Sequence, residues 1–246
     1  NQAIMAKQTS WSTIDFEAND AIDPDFMFAY GRIGGIGVKM DQLRPTVIAA
    51  QQAMRAQYGG AYEAAKAKPG APDAFAAIER LDDKLGKVKQ PGGEALTIAQ
   101  LYEGALGAIG ELWAYGEQVV AASGERDVAA SWGIKKAQRI WFKLATKYDA
   151  DVSKVTDCAR ISLVFESATA LERAARYVLR RAATFKNRVK EPTPEGYRDL
   201  MFTLPMSSGH VCEVQLHLKE MMDAKKSGAG HRMYKVCRRV LKNPIV

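Results

Sequence analysis

The run His210-Val211-Cys212-Glu213-Val214-Gln215-Leu216-His217-Leu218 decides how this chain folds. Its alternation is strict. His210, Cys212, Val214, Leu216 and Leu218 fall on one side; Val211, Glu213, Gln215 and His217 fall on the other. Side chains alternate faces along a strand, so the pattern predicts a half-buried strand with one mostly apolar face. The other face carries a Glu-x-Gln-x-His row, whose side chains bind metal, take protons or hydrogen-bond. Such a row reads as the floor of a site.

Working outward, residues 196–204 form a second strand pattern. The five residues Pro205-Met206-Ser207-Ser208-Gly209 join the two, which predicts a hairpin. Residues 159–165 are a further β-rich run, residues 169–183 an amphipathic helix, and residues 184–189 a short strand. Residues 219–226 and 231–241 read as closing helices. The stretch 124–148 reads as one basic amphipathic helix, with Lys135, Lys136, Arg139 and Lys143 beside Ile140, Trp141 and Leu144. Alternating strands and helices predict an α+β (mixed α/β) fold, a small mixed sheet of about five strands flanked by helices.

The N-terminal part differs. Residues 41–123 are Ala-rich and helical, with helices expected near residues 42–57, 72–84 and 97–122 and Thr97 as an N-cap. The expected division is a helical region over 1–123 and a second domain over 124–246. The run Gly31-Arg32-Ile33-Gly34-Gly35-Ile36-Gly37 invites a phosphate-loop reading, but no hydrophobic strand precedes it and no Lys-Ser/Thr follows.

The chain has 246 residues and a net charge of +7, unevenly placed. Residues 1–120 carry 11 basic against 15 acidic side chains, and residues 121–246 carry 24 against 13. The C-terminal half therefore attracts anions, with nucleotides, polyphosphates or RNA as natural partners. Three cysteines, Cys158, Cys212 and Cys237, make no disulfide framework. The spacing of His210, Cys212, His217, His231 and Cys237 fits no standard zinc site. No apolar run approaches membrane-spanning length. The chain begins Asn1-Gln2-Ala3 and reads as a piece excised from a longer polypeptide.

Four clusters carry chemistry. Asp157 precedes the 159–165 strand, where a carboxylate is placed to hold Mg²⁺. Glu213, with Gln215 and His217, would lie on a neighbouring strand and complete a two-carboxylate metal site for phosphoryl transfer. Lys135, Arg139 and Lys143, four apart, suit one helix face and a polyphosphate, with Lys186 and Arg188 adding to it. Gly196-Tyr197-Arg198-Asp199 offers close backbone approach, a stacking face and an Arg fork.

Taken in order, these stretches resemble the synthetase domain of RelA/SpoT-type alarmone synthetases. The matching residues are Lys135 with Ile140-Trp141-Phe142-Lys143, then Asp157, then Gly196-Tyr197-Arg198-Asp199-Leu200. Glu213-Val214-Gln215-Leu216-His217 and Gly230-His231-Arg232-Met233-Tyr234 follow. The resemblance covers about residues 125–240 and points to a divergent branch whose members often sit in phage-related or secreted toxin-like polypeptides. It implies a nucleotidyltransferase-like fold and transfer of the β,γ-diphosphate of Mg-ATP to the ribose 3′-hydroxyl of a purine nucleotide (GDP/GTP or ADP/ATP). In that scheme Asp157 and Glu213 are the catalytic, Mg²⁺-binding pair, with Glu213 a second ligand or the base. Lys135, Arg139 and Lys143 hold donor phosphates. Tyr197 stacks on the acceptor base, and Lys186, Arg188, Gln215, His217 and His231 line the acceptor side. The resemblance further implies a cytoplasmic site of action, delivery within a larger secreted polypeptide, and an immunity protein if the chain is a toxin. Alternatives are a tRNA 3′-end pyrophosphokinase and an inactive nucleotide- or RNA-binding module.

The departures lie on the donor side. Gly133 stands where the family has an Arg that stacks on adenine, and Arg139 where it has Ser. Arg126 or Arg160 could replace the missing Arg. After Asp157, Ala159 and Ser162 occupy places where further Arg residues often stand. No hydrolase domain is visible.

Overall fold

A computed structural model describes residues 40–227. The Gly31–Gly37 run, His231, Cys237 and the helix expected over 231–241 lie outside the described residues.

Three helices open the described chain: α1 Met40–Lys66, α2 Ala71–Glu79 and α3 Ile98–Ser123. Thr97 caps α3 with a capping box. Its hydroxyl accepts from Gln100 N at 3.2 Å, and the Gln100 side chain accepts from Thr97 N at 2.9 Å. Gly124 ends α3 in the left-handed region at φ 75°, a conformation that costs glycine little. The chain then alternates: β1 Ala129–Ile134, α4 Ala137–Thr146, β2 Ala159–Phe165, α5 Ala168–Leu179, β3 Thr184–Asn187, β4 Leu200–Pro205, β5 Val211–Leu218 and α6 Lys219–Lys226. Among the described residues no helix is long and apolar enough to cross a membrane.

The strands form one five-stranded mixed sheet in the order β1-β2-β5-β4-β3. The β2–β5 pair is parallel and the other three pairs are antiparallel. This is the mixed α/β class expected, with two corrections. The single helix read over 124–148 is a strand followed by a helix: residues 129–134 pair antiparallel with β2 as an edge strand. In addition, β5 is not half-buried. It lies at the centre of the sheet, and seven of its eight residues are buried.

One face of the sheet packs against α3 and α5. Ile161, Leu163 and Phe165 of β2 and Val214 and Leu216 of β5 join Leu101, Leu112, Leu171 and Val178 in one buried apolar cluster. Helix α3 comes unusually close. A Cβ at Gly116 would stand 2.4 Å from Ile161 Cδ1, and one at Gly104 would stand 2.7 Å from His210 Nδ1. Glycine at these two positions lets the helix seat on the sheet. Helices α1 and α2 belong to the same cluster through Met54, Tyr58, Phe75 and Ile78.

Candidate active site

The sheet's other face forms the floor of a cleft of about 470 Å³, within the range of small-molecule sites. Strand register decides what faces it. One row across the sheet runs Gly133, Arg160, Glu213, Thr203, Thr184. The next runs Ser131, Ser162, Gln215, Met201, Lys186. A two-residue period puts both rows on one face, which is why Glu213 and Gln215 reach the cleft together. They are linked: Gln215 Nε2 donates to Glu213 Oε1 at 2.7 Å, and Ser162 Oγ donates to Gln215 Oε1 at 3.2 Å.

Asp157 sits at one end, just before β2. Lys135 Nζ lies 2.7 Å and Lys143 Nζ 2.5 Å from its Oδ2. Lys135 is not on the helix. It extends β1, donating its backbone N–H to the Cys158 carbonyl at 2.8 Å, and the Tyr102 hydroxyl bonds the Lys135 carbonyl at 2.7 Å. A strand end and a helix therefore deliver the two lysines from opposite sides. Arg139 of α4 joins them in lining the cleft, as do Lys147 and Tyr148. Burial alone would push the Asp157 carboxyl up, but Lys143 and Lys135 outweigh it and hold the group below the usual carboxylate range. Glu213 goes the other way. Burial, then the charge of Asp157, push it up to about 7, against Lys135, Lys143 and Arg160. Two carboxylates driven apart in acidity are the usual mark of an acid–base or metal pair.

The opposite end is a buried polar network. The Tyr197 hydroxyl and His217 Nδ1 share a 2.9 Å hydrogen bond. Arg188 Nη1 donates to both oxygens of Asp199 at 3.1 and 3.4 Å, and His217 Nδ1 stands 3.9 Å from Asp199 Oδ2. Burial, with Lys225, Arg188 and Arg160 nearby, brings the His217 imidazole down to about 3, so it is neutral. Tyr58 of α1 meets the Tyr197 ring edge-on at 5.2 Å, and Lys225 Nζ lies 4.8 Å from its centroid. The loop carrying Tyr197 is clamped by α1, since Arg55 donates twice to the Pro194 carbonyl at 3.2 and 2.8 Å.

The cleft thus brings together Lys135, Arg139, Lys143, Asp157, Lys186, Arg188, Tyr197, Glu213 and Gln215. His217 does not line it. At 1% exposure it lies beneath Tyr197, because the sheet face that carries it is covered by the Tyr197 loop at that row. Arg198 turns away to lie 4.0 Å over the Tyr62 ring and bond the Val189 carbonyl. Tyr58 and Lys225 also line the cleft and were not among the residues expected from sequence. Arg160, offered from sequence with Arg126 in place of the missing donor-side Arg, does line the cleft.

Among the described residues no group of three or more His, Cys, Asp or Glu could hold a metal ion. Mg²⁺ needs fewer, since it keeps waters and substrate phosphates in its shell. Asp157 Oδ1 is buried and has no hydrogen-bond partner. A carboxylate oxygen left in that state costs free energy that a cation would recover, so the residues present fit the ion.

Residues 133–238 match the family model described as a region found in RelA / SpoT proteins. The chain carries a RelA/SpoT-type domain over that stretch. Among solved structures it is similar to the Type VI effector Tas1 in complex with its immunity protein, at 27% identity over 60% of this chain and 76% of that one, with a TM-score of 0.46. The small alarmone synthetase 1 from Bacillus subtilis bound to its product pppGpp is 14% identical over 58% of this chain and 91% of that one, with a TM-score of 0.43. A GTP pyrophosphokinase family protein from Streptococcus pneumoniae is 13% identical over 60% of this chain and 90% of that one, with a TM-score of 0.41. No curated protein sequence matches the chain.

Proposed function

We propose that this chain is a nucleotide 3′-pyrophosphokinase that moves the β,γ-diphosphate of Mg-ATP to the ribose 3′-hydroxyl of a purine nucleotide. The observation that carries the reading is the pair Asp157 and Glu213. One carboxylate is kept ionised by two lysines and has a spare buried oxygen; the other is held near neutral acidity in the same cleft.

The 3′-oxygen forms a bond to the β-phosphorus. The bond from that phosphorus to the oxygen bridging α and β breaks, and AMP leaves with the electron pair. Glu213 accepts the hydroxyl proton, with Gln215 fixing its orientation through the 2.7 Å bond. Mg²⁺, held by Asp157 with Glu213 adjacent, would neutralise phosphate charge. Lys135 and Lys143 share one oxygen of Asp157 and are placed to turn to the donor phosphates with Arg139. Lys186 and Arg188 take the acceptor phosphates. Tyr197 offers its ring to the acceptor base once Lys225 moves off that face, and His217 serves the acceptor by holding Tyr197. His231, outside the described residues, remains proposed on the acceptor side. The work asked of the protein is positioning and charge stabilisation.

The test incubates the protein with Mg-ATP and GDP, GTP, ADP, ATP or deacylated tRNA, and reads mass spectra for an acceptor gaining two phosphates and for AMP. Nucleotide binding with no product from any acceptor would favour a binding module. Glu213→Gln should lower turnover at least about 10³-fold with nucleotide affinity within a few-fold; a fully active variant sinks the assignment. We also propose a cytoplasmic growth-inhibiting role, with an immunity protein as partner. Expression of the parent chain should arrest a host's growth and Glu213→Gln should not.

A further inference from the structure

We propose that Arg160 is a further catalytic residue of this cleft, the guanidinium that grips the diphosphate as it passes from donor to acceptor. The inference rests on the transfer reading above.

Register places Arg160 directly beside Glu213 on one side and Gly133 on the other. On the Gly133 side nothing crowds it: a Cβ there would meet no atom within 4 Å. Arg160 is exposed and lines the cleft. Three other cations of the cleft are engaged. Lys135 and Lys143 are held by Asp157, and Arg188 by Asp199. Arg160, Lys186 and Lys225 have no carboxylate in ion-pair contact among the described residues. Of these three, Lys186 stands in the next row on the far strand, and Lys225 stands over Tyr197. Arg160 alone neighbours the proposed base. A guanidinium is a planar fork that matches two phosphate oxygens. Next to the residue that receives the 3′-hydroxyl proton, it lies where the β-phosphoryl oxygens must be when the new bond forms. It donates hydrogen bonds to non-bridging oxygens of the transferred group and makes no covalent bond. Such a donor acts mainly on the transition state, where charge spreads over those oxygens.

The experiment compares Arg160→Gln and Arg160→Lys with the parent at saturating Mg-ATP, with thermal melts to confirm folding. Arg160→Gln should lower kcat about 10²–10³-fold, the loss expected for one transition-state donor. The acceptor KM should stay within about threefold, and Arg160→Lys should recover part of kcat, since an ammonium keeps the charge and loses the fork. Calorimetry with Mg-α,β-methylene-ATP gives a readout free of turnover, and there Arg160→Gln should bind about tenfold more weakly. If the parent transfers diphosphate and Arg160→Gln keeps kcat within about threefold, this proposal is overturned and the transfer reading stands. If the parent transfers nothing, the transfer reading falls, and unchanged analogue binding by Arg160→Gln overturns the Arg160 proposal as well.

Discussion

The two ends of the cleft use the same ingredients to different ends. Each holds one acidic residue among cations. Asp157 meets two lysines through a single oxygen and leaves the other oxygen without a partner. Asp199 has both oxygens bonded by Arg188, a neutral His217 beside it, and 4% exposure. The first arrangement is open to exchange: a cation can take the spare oxygen and the lysines can turn to phosphate. The second is closed and fixes Tyr197. A carboxylate among cations is therefore a loading site or a strut according to how completely it is satisfied.

That contrast breaks if substitutions at the two ends behave alike. The largest expected effect is on turnover. Asp157→Asn should lower kcat about 10³-fold and blunt the response to Mg²⁺ in a titration, with some loss of stability because Lys135 and Lys143 lose their partner. Asp199→Asn should act mainly on the fold. Loss of the charged bonds to Arg188 should destabilise the fold by roughly 1.5–3 kcal/mol in denaturant melts, with kcat falling less than for Asp157→Asn. Equal loss of kcat at both positions would erase the distinction between them.

Glu213 is raised to about 7, so it is protonated and unable to act as a base below that pH, and ionised above it. The rate should rise with pH, up to about tenfold per unit below 7, and level off above. His217 is brought down to about 3 and adds no limb in this range. A rate that falls as pH rises from 6 to 8 would contradict the base role. The smallest effect is expected at Tyr197→Phe, which removes the 2.9 Å bond to His217 but keeps the ring. The acceptor KM should rise about fivefold, the size of one neutral hydrogen bond, with donor KM unchanged.

The central strand was legible because a two-residue period survives whatever packs on it, so β5 and the pairing of Glu213 with Gln215 followed from sequence. Strand β1 was not. Ala129-Ala130-Ser131 are small and exposed on a sheet edge, and the basic helical pattern that follows them dominates the window. The burial of His217 was hidden for a different reason. Alternation tells which face a side chain takes, and a loop whose Tyr197 lies 20 residues upstream closes that face. Arg198 misled because the segment before β4 is irregular, and a cation next to a Tyr finds another ring, that of Tyr62. Tyr58 and Lys225 reach the cleft from helices far apart in the chain, and no local pattern announces such a meeting. Asp157 was found as a strand-edge carboxylate, but its spare oxygen is a fact of packing alone.

The most direct measurement uses ATP labelled in both the β- and γ-phosphates and follows each label through the reaction. Both labels should arrive together on the acceptor's 3′-oxygen, with one unlabelled AMP formed per product. Transfer of the γ label alone with release of ADP, or release of both labels to water with acceptor unchanged, would contradict it.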